Sequence, residues 1–130
     1  MTELNGSSFK VNILVLDDDN NLHLHYRYIL KQIKGVGTIS MAHDDASFGR
    51  CLSKHNYHVI ICDIHMHPTI GPDILRAHQD KLIGKEIVLL SCSDNIKDYS
   101  KELEKDGIPI RAYFQKPLVP QDLFDLLECN

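Results

Sequence analysis

Three things are scarce in this sequence, and each absence removes a class of function. Positive charge is not in excess. Lys and Arg number 14 against 18 Asp and Glu, a formal net charge of −4. A nonspecific nucleic-acid binder needs a basic face, and an anionic membrane surface attracts one. Long apolar runs are also missing, and none approaches the roughly 20 residues of a membrane-spanning helix. The first ten residues, Met1 to Lys10, hold no apolar stretch of the kind found in a signal peptide. A cytoplasmic protein with no direct nucleic-acid or membrane contact is therefore expected. Cysteine is sparse as well. Cys51, Cys62, Cys92 and Cys129 form no Cys-x-x-Cys pair, so reduced thiols are expected. Cys62 and Cys92 fall in strand-like runs and are expected as small core residues.

What is present fits one compact domain. The chain has 130 residues, 43% hydrophobic and 25% charged, enough to bury a core without disulfide or metal staples. Residues 1–9 are expected to form a flexible N-terminal tail and residues 10–130 the domain. Short apolar runs then alternate with helical periodicity. Val11 to Leu16, Thr38 to Ala42, Val59 to Cys62, Ile87 to Leu90 and Ile110 to Phe114 read as strands. Such nearly continuous apolar runs suit strands covered on both faces. Between them, Asp19 to Ile33, Asp44 to His55, Pro72 to Leu82, Asp94 to Lys105 and Pro120 to Leu127 read as helices. Ala46, Phe48, Cys51 and Leu52 should face inward on the second helix. Leu123, Phe124, Leu126 and Leu127 should do so on the last. Five strand–helix units predict an α/β fold with a parallel sheet and helices on both faces.

In such sheets ligands sit beyond the carboxyl ends of the strands, so the residues at those ends carry the chemistry. Strand one ends in Asp17, Asp18 and Asp19, strand three in Asp63, strand four in Ser91, and strand five in Gln115, Lys116 and Pro117. Any one of these has a plainer reading. An Asp after a strand is often a helix cap, and that reading is preferred for Asp19. A lone Lys-Pro is often only a turn. Their joint occurrence in chain order at the central strand ends is harder to produce by accident. Clustered carboxylates resist ionising together, and a hard cation such as Mg²⁺ relieves the conflict. A carboxylate is also a competent covalent nucleophile. An ammonium and a hydroxyl supply charge stabilisation for a transferring phosphoryl group.

At this point the chain resembles the receiver domains of two-component response regulators, in particular the single-domain chemotaxis-type receivers. The matching pieces are ILVLDD at Ile13 to Asp18, VIICDIHM at Val59 to Met66, IVLLS at Ile87 to Ser91 and YFQKP at Tyr113 to Pro117. The resemblance implies a flavodoxin-like (βα)5 fold with strand order 2-1-3-4-5. It implies a phosphorelay protein that accepts a phosphoryl group on Asp63. Mg²⁺, with Mn²⁺ as a substitute, would be held directly by Asp18, Asp63 and the backbone carbonyl of His65, and through water by Asp17. Lys116 would pair with the phosphoryl oxygens, and the Lys116–Pro117 peptide would be cis. Ser91 would be the switch hydroxyl and Tyr113 the switch aromatic, changing the surface of helix four, strand five and helix five. The implied partners are a sensor histidine kinase or His-phosphotransfer protein, and a downstream protein target. The implied state is a monomer or a phosphorylation-dependent dimer. Such a protein is a phosphoacceptor with Mg²⁺-dependent self-chemistry, not a turnover enzyme. A stand-alone receiver is expected.

The segment after Asp63 departs from the pattern, reading Met66-His67-Pro68-Thr69-Ile70-Gly71-Pro72 where Met-Pro and Asp-Gly are common. His65 is expected as an exposed loop residue, with a role over the phosphoryl group as the sharper alternative. Asp63-x-His65-x-His67 as a transition-metal site would need an extended backbone where a loop is expected. Two rival functions use the same residues. A haloacid-dehalogenase-like phosphatase would use Asp17 as nucleophile, but would leave Asp63 idle and lacks a later acidic motif. A phosphorylation-independent binding module would not need the full set of Asp17, Asp18, Asp63, Ser91 and Lys116.

Overall fold

The computed structural model describes residues 10–116 and 118–128. The expected tail over 1–9, the expected cis peptide at Pro117, and Cys129 lie outside the described residues. Five strands alternate with five helices: β1 (Val11–Leu16), α1 (Asn20–Lys31), β2 (Val36–Ala42), α2 (Asp45–Lys54), β3 (Val59–Asp63), α3 (Gly71–Ala77), β4 (Glu86–Ser91), α4 (Ile96–Lys105), β5 (Ala112–Gln115) and α5 (Pro120–Glu128). All neighbouring strands pair in parallel, in the order β2-β1-β3-β4-β5. This is the flavodoxin-like arrangement expected from the sequence.

The apolar runs feed two cores in alternation, because successive strand residues point to opposite faces. Leu14, Leu16, Ile60, Cys62, Ile87 and Leu89 face one side, against Phe48 of α2, Ile74 and Leu75 of α3, and Leu103 of α4. Ile13, Val15, Val59, Ile61, Val88 and Leu90 face the other, against Tyr26, Ile29 and Leu30 of α1 and Leu123 and Leu126 of α5.

Helix starts follow local chemistry. The Asp19 side chain accepts the Asn21 N–H and caps α1, as expected. Asp44 and Ser47 form a reciprocal capping box at α2. Helix α3 is shorter than its sequence pattern. It stops at Ala77, and a separate 3₁₀ turn covers Gln79–Lys81. Tertiary contacts take over there: the His78 ring meets Asp45 at 2.6 Å, and the Gln79 amide donates to the Asp106 carbonyl. Strand β5 starts at Ala112 rather than Ile110, since the Ile110 N–H turns to Glu104 instead of the sheet.

Three inward assignments are corrected. Cys92 is exposed, because the strand ends at Ser91, which takes the inward position. Ala46 is exposed and Ser47 is buried in its place, drawn in by the capping box. Phe124 is 41% exposed, with Leu123 and Leu126 filling the core side of α5.

Candidate functional site

Parallel register brings the predicted acids together. Leu16 lies opposite Cys62, so the residues that follow, Asp17 and Asp63, emerge side by side at one rim. The Asp17 N–H extends the ladder onto the Ala42 carbonyl at 3.0 Å, and the Ile64 N–H does so onto Leu90 at 2.9 Å. Both acids are thereby held on sheet-like backbone rather than on loose loops. Carboxylate oxygens of Asp17, Asp18 and Asp63 lie within 4.8 Å of one another. Asp17 and Asp63 are buried and Asp18 half-buried.

The fifth strand supplies the counter-charge. The Lys116 N–H donates to the Ser91 carbonyl at 2.8 Å, which carries the pairing one residue past β5. Its Nζ then sits 3.1 Å from Asp17 Oδ2 and 3.3 Å from Asp63 Oδ1. One ammonium serves two buried acids.

The two acids differ in their remaining partners. Asp17 Oδ1 accepts the Asp19 N–H at 2.9 Å, and Oδ2 accepts the Tyr26 hydroxyl at 3.0 Å as well as Lys116. Asp63 has Lys116 and the His65 N–H. Burial pushes the Asp63 carboxyl upward and the Asp17 charge adds to this; Lys116 and the His65 N–H offset it only in part. Burial opposes the Lys116 charge, yet the two acids more than compensate and its pKa is raised. Asp18 is oriented by the His67 N–H at 3.1 Å.

Ser91 is fully buried, and its Oγ accepts the Ser93 N–H at 2.9 Å. Gln115 reaches Asp94 at 3.1 Å, tying the end of β5 to the turn before α4. Tyr113 is 40% exposed and so lies outside the acid cluster. The His65 side chain is exposed and its ring sits edge-on to Tyr99 at 6.0 Å. Among the described residues no histidine joins the three-acid cluster, so Asp63, His65 and His67 do not form a metal site. The donor set is all carboxylate oxygen and mostly buried, which fits a hard divalent cation.

Two residues were not singled out by sequence reasoning. Tyr26 lies inside the stretch expected as the first helix, where nothing local marks it as a site residue, although a hydroxyl on a buried helix stripe needs a partner. Gly71 is buried, and its N–H donates to the Ile64 carbonyl at 2.9 Å. A Cβ there would collide with the Asp63 carbonyl and come within 2.7 Å of Cys62 Sγ. Its closeness follows from how α3 returns onto β3, which no local signal announces.

Comparison with known proteins agrees with this fold. A family model described as the response regulator receiver domain matches residues 13–128. No curated protein sequence matches. The fold is similar to the receiver domain of the Francisella response regulator 1452, at 22% identity over 92% of this chain and 95% of that one, TM-score 0.74. It is similar to the signal receiver domain of an HD domain-containing protein from Pseudomonas fluorescens Pf-5, at 20% identity over 92% and 93%, TM-score 0.78. It is also similar to the chemotaxis response regulator CheY4 of Vibrio cholerae, at 20% identity over 92% and 98%, TM-score 0.75.

Proposed function

The chain belongs to the response regulator receiver domain family of two-component signalling, and from that premise we propose that it accepts a phosphoryl group on Asp63 in a Mg²⁺-dependent reaction. The observation that carries this reading is the Lys116 ammonium bridging two buried acids, with a third acid beside them.

Asp63 is favoured over Asp17 as the nucleophile. Asp17 already accepts from a backbone amide, a phenol and an ammonium, which lowers its nucleophilicity. Asp63 has fewer donors, and burial with the Asp17 charge raises its carboxyl above the ordinary value. In the step, an Asp63 oxygen bonds to phosphorus as the donor's phosphorus–nitrogen bond breaks and the imidazole leaves with the electron pair. Asp17, Asp18, Asp63 and the His65 carbonyl are the groups that would hold Mg²⁺. When bound, that ion supplies charge neutralisation for the acids and the transferring group. Lys116 swings from its carboxylate contacts onto the phosphoryl oxygens. The phosphoryl group adds charge and strong acceptors at this rim. Ser91 then turns its hydroxyl toward it and gives up the Ser93 N–H. That loss frees the turn before α4, and Tyr113 moves from its exposed position inward. The surface of α4, β5 and α5 thereby changes for a protein partner. The donor class is a phosphohistidine of a sensor kinase or phosphotransfer protein.

Intact mass after incubation with Mg²⁺ and acetyl phosphate tests the reading. One phosphoryl adduct is expected, dependent on Mg²⁺ and absent in Asp63→Asn. An adduct that survives Asp63→Asn would move the nucleophile to Asp17 and revive the phosphatase alternative. No adduct on folded wild type, with the small donor or a histidine kinase, would leave a phosphorylation-independent binding module.

A further inference from the structure

Helix α1 grips Asp17 at two levels. The His23 Nε2 lies 2.7 Å from the Asp17 carbonyl oxygen, and the Tyr26 hydroxyl donates to its carboxylate at 3.0 Å. These residues are one helical turn apart and so share a face. Tyr26 is only 2% exposed. Packing alone would be served by phenylalanine at this position, since a buried hydroxyl is costly unless it is bonded. Burial first, and the Asp17 charge second, keep the hydroxyl protonated, so it acts as a donor. The Asp17 carboxylate is then pinned at both oxygens, Oδ1 by the Asp19 N–H and Oδ2 by Tyr26. Lys116 also sits on Oδ2, but it is shared with Asp63.

We propose that Tyr26 is a positioning residue whose hydroxyl presets the Asp17 carboxylate for Mg²⁺ and holds it when Lys116 turns toward the phosphoryl group. This deepens the receiver reading and rests on it for the role of Lys116. Tyr26 touches neither the reacting atoms nor the ion's ligand positions on Asp18 and Asp63; it acts through Asp17. Groups that orient a metal's ligands set its affinity, and their loss typically costs roughly 10- to 100-fold.

The test is Mg²⁺ binding to the full chain by titration calorimetry. Tyr26→Phe is expected to raise the Mg²⁺ Kd about 10-fold. In the Asp17→Ala background the same substitution is expected to change Kd by less than about twofold, because the acceptor of the hydroxyl is already lost. The chain contains no tryptophan, so its near-ultraviolet difference spectrum reports tyrosine. A Mg²⁺-dependent tyrosine signal is expected in wild type and not in Asp17→Ala. Wild-type or tighter Mg²⁺ affinity in Tyr26→Phe would overturn the proposal, as would an undiminished effect in the Asp17→Ala background. If Tyr26→Phe does not fold, the wild-type and Asp17→Ala spectra decide, and an identical signal in both overturns it. Acetyl phosphate labelling separates the two readings. A wild type that takes no phosphoryl adduct, with Tyr26→Phe still weakening Mg²⁺, would sink the phosphoacceptor role while leaving the Tyr26–Asp17 coupling intact.

Discussion

Asp63 is a buried acid whose neighbours only partly compensate it. Its carboxyl is raised by burial and by Asp17. A raised acid contributes stability that is fully present below its ordinary value of 3.8 and lost as pH rises through the raised value. Asp63→Asn without divalent cations is therefore expected to raise Tm at neutral pH, with the gain shrinking as pH falls toward 3.8. A gain on the order of 1 kcal/mol would appear as a few degrees in a scanning melt. Gly71 gives the opposite kind of case. Gly71→Ala places a methyl against the Asp63 carbonyl and Cys62 Sγ. A loss of about 3 kcal/mol, or failure to fold, is expected in denaturant unfolding. The acids, the serine and the lysine were legible as a set because they follow the apolar runs of the central strands in chain order; singly each has a plainer reading. Tyr26 and Gly71 were not, because their meaning lies in a neighbour distant in sequence.

Elements separate stability from signalling. The capping-box hydrogen bonds of α2 run among residues 43–47, so Asp44→Ala is expected to cost about 1 kcal/mol and to leave acetyl phosphate labelling unchanged. Its pH dependence has the sign opposite to that of Asp63. The Ser47 N–H and hydroxyl hold the Asp44 carboxyl below its ordinary value, so its contribution is present above that value and lost as pH falls through the lowered one. Ser91 is the reverse case. Ser91→Ala removes the acceptor of the Ser93 N–H. The adduct is still expected to form on Asp63, while hydrogen exchange in α4 and β5 no longer changes on phosphorylation. Normal exchange changes in that variant would remove Ser91 from the switch. Element types were legible from periodicity, and most ends fell within two residues. The end that fell outside, the C-terminus of α3, came where His78 and Gln79 took tertiary partners that local propensity does not include.

For the molecule as a whole, bringing three acids to one rim costs folding stability that a bound cation would offset. Mg²⁺ is therefore expected to raise Tm with concentration, adding about 2.7 kcal/mol at one hundred times its Kd. The shift should be reduced in Asp18→Asn, and a Tm insensitive to Mg²⁺ would argue against the cation site. Among the described residues no helix is long and apolar enough to cross a membrane.

The sequence by itself determined the alternation of strands and helices, the parallel sheet, and which side chains close the central strands. Those follow from period and from where apolar runs stop, which are properties of adjacent residues. Tertiary structure alone decided that Asp17 and Asp63 share one lysine, that Tyr26 completes the Asp17 shell, and that Phe124 and Cys92 face outward. Each of these depends on register between strands far apart in the chain, on where a strand ends, or on the rotation of a helix about its axis. The linear pattern constrains such quantities only through the packing it eventually achieves.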